Sequence, residues 1–264
     1  MLTRRIRSAA ILIATVAAAV YAGGLWFFAL VAVAASLASY EFVRMMKRGG
    51  YRPFWPLSLA LIWLLLVDAR YPTWGLVRPA LTAAIIFSLI WQLFQKDTPT
   101  PVADWALTLA GALYIGGLAS RFIALRDGPQ GIGWMALVLL PTWLGDTAAY
   151  FVGLSWGRRK IAPRLSPGKT WEGTISGWVV ELATTAIVGR FVGLSLGQGL
   201  LLGALMATAI PFGDLAVSMM KRRVEVKDTS SLIPGHGGML DRLDSLLFAA
   251  AVVYYYARYA VGAR

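Results

Sequence analysis

The chain has 264 residues, of which 58% are hydrophobic and only 14% charged. Soluble domains run about 45–50% apolar and about 25% charged, so a soluble enzyme and a disordered chain are both excluded. With no cysteine and one histidine, disulfide scaffolds, thiolate sites and His-cluster metal sites are out, and a Ser-His-Asp triad would have to run through His236. The net charge is +12. In so apolar a chain it points to basic loops facing anionic headgroups and phosphate substrates, not to nucleic acid.

A helix needs about 20 apolar residues to cross a bilayer. In chain order the apolar runs predict nine spans, at residues 6–22, 25–43, 54–67, 76–94, 102–119, 132–154, 173–191, 196–215 and 243–261. The expected fold is therefore an all-α, polytopic integral membrane protein with a cytoplasmic N-terminus. The first run resembles a secretory leader, but a second span follows within a few residues, so it reads as a first membrane helix. Lys and Arg test the count. With the N-terminus inside, 18 of the 25 fall in inside segments and 7 outside, alternating loop by loop. The whole chain reads as one membrane-embedded domain. Residues 1–130 supply packing helices with dimer and lipid contacts, and residues 131–264 carry the chemistry.

Charged residues in or beside spans are costly, so they point to function. Glu41, Asp104 and Glu181 read as helix-end residues that reach headgroups or pair with basic neighbours. Asp146, Asp214 and Asp244 differ, because each lies beside one of the two richest polar loops.

The earlier of these loops runs from Asp146-Thr147-Ala148-Ala149-Tyr150 through Arg158-Arg159-Lys160 to Ser166-Pro167-Gly168-Lys169-Thr170-Trp171-Glu172-Gly173. Gly168-Lys169-Thr170 is not a P-loop, since the required first glycine falls at Pro163 and no strand precedes it. Lys169, Thr170 and the local backbone remain candidates for holding nucleotide.

The last inside loop interleaves carboxylates, bases and glycines. If the eighth helix continues past the membrane edge, Asp214, Ser218 and Lys221 share one face. At the start of the ninth helix Asp241, Asp244 and Ser245 do the same. Gly235, Gly237 and Gly238 precede that helix and permit a tight turn with exposed N–H groups, suited to phosphate oxygens. Mg²⁺ is the expected ion, because it prefers oxygen ligands and is held by one or two carboxylates plus substrate phosphates.

The stretch from Ser218 to Asp244 resembles the signature of the phosphatidate cytidylyltransferases, or CDP-diacylglycerol synthases. Ser218, Lys221, Arg222, Lys227, Asp228, Pro234, His236, Gly237, Gly238, Asp241, Arg242 and Asp244 occupy its fixed positions. The stretches Asp146–Tyr150 and Ser166–Gly173 also resemble the family, whereas the first half matches only as membrane helices. The resemblance implies transfer of the cytidylyl group of CTP to phosphatidate, giving CDP-diacylglycerol and pyrophosphate. It further implies Mg²⁺ dependence with room for a second cation, a bacterial-type inner-membrane location with a cytoplasmic site, and a homodimer. On that basis Asp214, Asp241 and Asp146 are metal ligands, with Asp228 and Asp244 as further candidates. Lys221, Arg222, Lys227 and Arg242 neutralise phosphates, Ser218 donates to phosphate, and His236 hydrogen-bonds the leaving pyrophosphate. Two rival classes are disfavoured. An anion transporter is expected to show broken helices in corresponding halves. A CDP-alcohol phosphotransferase needs D-G-x-x-A-R, and here Asp127-Gly128 is followed by Pro129.

Overall fold

A computed structural model describes residues 2–96, 98–232 and 237–262, with side chains from Ser8 onward. Among them lie ten α-helices: α1 (Leu2–Ala22), α2 (Gly24–Arg48), α3 (Trp55–Arg70), α4 (Val77–Leu93), α5 (Pro101–Ala112), α6 (Leu118–Asp127), α7 (Gly131–Ser155), α8 (Trp171–Gly189), α9 (Leu196–Arg223) and α10 (Leu240–Tyr255). A π turn, Leu113–Gly117, joins α5 to α6, so 101–127 is one helical rod. Five helical segments are long and apolar enough to cross a membrane: Gly24–Arg48, Pro101–Asp127, Gly131–Ser155, Trp171–Val192 and Leu196–Arg223. Large apolar side chains such as Trp26, Leu93, Leu154 and Phe191 stay exposed, as a surface facing lipid tails requires. The protein is thus nearly all-α and built for a membrane.

Among the described residues the departure from all-α is a small antiparallel hairpin, β1 (Lys160–Ala162) and β2 (Ser166–Thr170), where the sequence suggests only a polar loop. Several helices also outrun the predicted spans, and two of these extensions carry expected site residues. Helix α9 continues to Arg223, and α10 starts at Leu240, which places Asp241 in its first turn.

The chain forms two compact units, residues Met1–Asp127 with Arg223–Leu243, and Gly128–Arg222 with Asp244–Arg264. In the first, α2 buries Phe27, Val31, Ala35, Ala38, Phe42 and Met45, a stripe at helical spacing. Helix α3 packs against α2, α4, α5 and α6. Small residues set these distances. A Cβ on Gly116 would stand 2.8 Å from the Ile62 Cα, and one on Gly111 would strike the Phe42 ring. Arg70 pairs with Asp127 at 2.6 Å and ties the end of α3 to the end of α6.

In the second unit α7 and α8 pack closely through glycines. A Cβ on Gly173 would lie 2.6 Å from the Ala149 carbonyl oxygen, and one on Gly177 would lie 3.1 Å from that of Gly145. The hairpin leads into α8, whose first turn is capped by Thr170, with Oγ1 accepting from Gly173 N at 3.2 Å.

Candidate functional site

The second unit gathers a charged cluster from α7, β2, α9 and α10. Lys169 leaves β2 and meets Asp214 on α9, Nζ to Oδ2, at 2.5 Å. Ser218, one turn further along α9, donates to Asp214 Oδ1 at 3.4 Å. Asp244 on α10 lies within the electrostatic reach of Asp214, Asp146 and Lys221. Asp244, Ser218 and Lys221 are all buried. Gly213 is the reason α9 and α10 come this close. A Cβ there would lie 2.5 Å from the Asp244 carbonyl oxygen and 3.1 Å from Phe248.

The hairpin is held on this cluster from several sides. Arg222 donates Nε to the Leu165 carbonyl at 3.1 Å. The Glu172 carboxylate accepts from the backbone N–H groups of Arg158 and Arg159, at 3.0 and 3.3 Å. Trp171 N donates to Arg159 O at 2.8 Å. Gly157 sits where any side chain would collide with the Gly153 carbonyl and the Thr170 hydroxyl. Asp146, on α7 next to Gly145, also acts on Glu181, a buried α8 residue that packs against Gly145. Three carboxylates, two ammonium groups and a hydroxyl thus form one cluster, with Asp244, Ser218 and Lys221 buried and Lys169 and Asp214 partly exposed.

In the first unit the signature loop is braced by two carboxylates. Asp241 Oδ2 accepts from Thr229 N at 2.8 Å and Gly238 N at 3.1 Å, and the one Thr229 hydroxyl proton is shared between Asp241 Oδ2 (2.8 Å) and Glu41 Oε2. Glu41 on α2 accepts from Ser230 Oγ (2.6 Å) and Met239 N (2.9 Å) at Oε1, and from Thr229 Oγ1 (3.0 Å) and Leu240 N (2.9 Å) at Oε2. Gly237 adopts φ +77°, in the left-handed region that favours glycine, and a Cβ there would lie 2.9 Å from Asp241 Oδ2 and 3.6 Å from Asp228 Oδ1.

Set against the sequence expectations, the structure brings together Asp146, Asp214, Asp244, Lys169, Ser218 and Lys221. It places Asp241, Gly237, Gly238 and Asp228 together in the other unit, along with Thr229. Lys227 and Arg242 also belong to that unit. Asp241 and Asp244 share a helix face, yet they serve different partners. The N–H group of Gly238, which the sequence offers to phosphate, is taken by Asp241, and those of Met239 and Leu240 are taken by Glu41. Thr170, expected to hold nucleotide, caps α8. Pro234, Gly235 and His236 lie outside the described residues.

Sequence reasoning passes over Glu41. Arg44, three residues on, offers an obvious helical partner, and the true donors lie 188 to 199 residues away. A carboxylate closing a long apolar run is the one local signal. Asp104 follows the same pattern. It is buried on α5 and accepts from Arg52 N at 2.7 Å, Thr100 Oγ1 at 3.1 Å and the Thr98 hydroxyl.

Comparison with known proteins adds an independent line. A family model described as the cytidylyltransferase family matches residues 3–260. A Bacillus subtilis protein named phosphatidate cytidylyltransferase is 33% identical, over 89% of this chain and 90% of its own length. One of the same name from Thermotoga maritima is 36% identical over 85% of each chain. Another, from Mycobacterium bovis, is 31% identical over 90% of this chain and 82% of its own. With the match running nearly end to end, the chain belongs to the cytidylyltransferase family.

Proposed function

We propose that the protein transfers the cytidylyl group of CTP to phosphatidate, forming CDP-diacylglycerol and releasing pyrophosphate for phospholipid synthesis. Family membership supports the reaction, and the cluster around Lys169 and Asp214 is the observation that carries it: cations and carboxylates interleave among apolar helices. A phosphate oxygen of phosphatidate attacks the α-phosphorus of CTP. The bond from that phosphorus to the bridging oxygen breaks, and pyrophosphate leaves with the electron pair. The attacking oxygen is already anionic, so no strong base is needed. Catalysis is alignment and charge neutralisation.

Lys169, Lys221 and Arg222 neutralise the triphosphate, and Ser218 donates to a phosphate oxygen. Lys227 and Arg242 offset the lipid phosphate, and His236 hydrogen-bonds the departing pyrophosphate. Asp214, with Asp146 and Asp244 beside it, would hold Mg²⁺. The donors fit in kind, being hard carboxylate oxygens, and Mg²⁺ needs only one or two carboxylates besides substrate phosphates. A closed cage of three or more such side chains, which the described residues do not form, is not required. When bound, the ion supplies positive charge to the triphosphate. Asp241, a ligand in the sequence reading, we assign to bracing the signature loop, because Oδ2 already accepts two backbone N–H groups and shares the Thr229 hydroxyl with Glu41. The proposal extends to nine spans with the N-terminus inside, an inner-membrane location with the site facing the cytoplasm, and a homodimer. The 18:7 charge asymmetry supports the orientation.

The test is purified protein in detergent with radiolabelled CTP, phosphatidate and Mg²⁺. A labelled lipid product and released pyrophosphate are expected, with ATP and GTP replacing CTP poorly. Solute transport in proteoliposomes without nucleotide turnover would refute the reading.

A further inference from the structure

We propose that Glu41 is a positioning residue for the reaction, setting the signature loop in place from α2 in the N-terminal half of the chain. Its side chain is 2% exposed. Each carboxylate oxygen takes one backbone N–H from the start of α10; Oε1 also takes the Ser230 hydroxyl, and Oε2 shares the Thr229 hydroxyl with Asp241. The carboxylate therefore clamps both ends of the loop, 229–230 and 239–240, onto one point. It also occupies the N-terminus of α10, where the helix favours negative charge and leaves N–H groups unsatisfied. Gly238 is shaped to this carboxylate, since a Cβ there would strike both the Glu41 carboxylate and the Thr229 hydroxyl. Thr229 links the clamp to Asp241, its hydroxyl lying 3.0 Å from Glu41 and 2.8 Å from Asp241. Lys227, Asp228 and Arg242 are within two residues of these anchors, so their positions follow from the clamp.

The chemistry demands a carboxylate and not merely a polar side chain. The two backbone donors sit on different oxygens. A glutamine, whichever way its amide is turned, sets an NH₂ against the N–H of Met239 or of Leu240. Hydroxyls can turn and accept, whereas a backbone N–H cannot. Glu41→Gln is therefore expected to loosen the start of α10 while keeping the volume and the apolar stripe of α2.

The inference rests on the proposed reaction for its activity readout, and hydrogen exchange supplies a readout independent of it. Glu41→Gln, Ser230→Ala and wild-type full-length protein are purified in detergent. CTP turnover per folded molecule, thermal stability and amide exchange in peptides covering 229–232 and 237–242 are then measured. The expected result for Glu41→Gln is a fall in kcat of about 10- to 100-fold, with exchange accelerated at the loop peptides and not along α2. Ser230→Ala, which removes one hydroxyl donor and no backbone contact, should shift both readouts in the same direction but less. Turnover per folded molecule within about threefold of wild type in Glu41→Gln overturns the proposal, as does unchanged exchange at 237–242. If Glu41→Gln does not fold, unchanged loop exchange in Ser230→Ala overturns it. A wild-type protein without CTP turnover would refute the reaction, leaving exchange to decide the clamp.

Discussion

Gly213→Ala probes whether the closeness of α9 and α10 matters for turnover. The added Cβ would stand 2.5 Å from the Asp244 carbonyl oxygen, 3.2 Å from its carbon and 3.1 Å from Phe248. The first two are backbone atoms and cannot rotate aside. Ordinary contact begins at 3.4 Å, so the helices must part locally by about 0.9 Å, the kind of overpacking that costs about 1–3 kcal/mol. Alanine returns about 1 kcal/mol of helix propensity over glycine. The net stability loss is then about 0–2 kcal/mol. The effect on chemistry is larger, because Asp214 is the next residue and Asp244 is the one displaced. A misplacement near 1 Å costs about 100-fold in rate, or about 2.7 kcal/mol of barrier. The expected outcome is a protein that inserts, melts within a few degrees of wild type and turns over CTP about 100-fold more slowly. Turnover within about threefold of wild type would show that the Asp214–Asp244 spacing does not govern the reaction.

Replacing Asp214 with Asn should lower kcat by about 100-fold or more and shift the Mg²⁺ titration; near-normal turnover at ordinary Mg²⁺ would remove it from the ligand set. Asp241→Asn should lower stability and turnover with the Mg²⁺ midpoint unchanged, and a shifted midpoint would return Asp241 to the metal. Lys169→Ala removes the ion-pair partner of Asp214 and should raise the KM for CTP by about tenfold; an unchanged KM in a steady-state assay would sever Lys169 from the nucleotide. Reporter fusions after residue 264 and within residues 158–169 should register opposite sides of the membrane, and agreement between them would put the span count wrong by one.

Much of this architecture is legible in the sequence because a bilayer imposes a length and composition on each span. The apolar runs at 132–154, 173–191 and 196–215 overlie α7, α8 and α9. Helix α9 outruns its apolar segment because Asp214, Ser218 and Lys221 keep helical spacing, so Ser218 and Lys221 stay buried on a continuing face. The hairpin is not legible. Its strands have three and five residues, and β2 contains Pro167 and Gly168, both poor strand formers. The roles of Glu41 and Asp241 are also hidden, since burial and hydrogen-bond donors brought from distant segments decide them. An aspartate at a helix start reads equally as a ligand or as a brace until Thr229 and Gly238 are placed beside it.

The carboxylates thus fall into two kinds, and the distinction has consequences. Glu41, Asp104, Glu172 and Asp241 accept hydrogen bonds from backbone N–H groups or hydroxyls, fixing segments at 52, 98–100, 158–159, 229–230 and 238–240. Asp146, Asp214 and Asp244 meet other charges, among them Lys169 and Lys221. A carboxylate satisfied by neutral donors has little to gain from a cation, and losing it leaves donors unpaired, at about 1–3 kcal/mol each when buried. Three carboxylates beside two ammonium groups leave negative charge unmatched, which stays costly until more positive charge arrives. Polyanionic substrates alone would not relieve that imbalance, whereas a divalent cation arriving with CTP would. The second kind is therefore where binding of the metal–nucleotide complex should raise stability, by about 2.7 kcal/mol at a hundredfold excess over Kd. The first kind should hold the loops in place whether or not substrate is present.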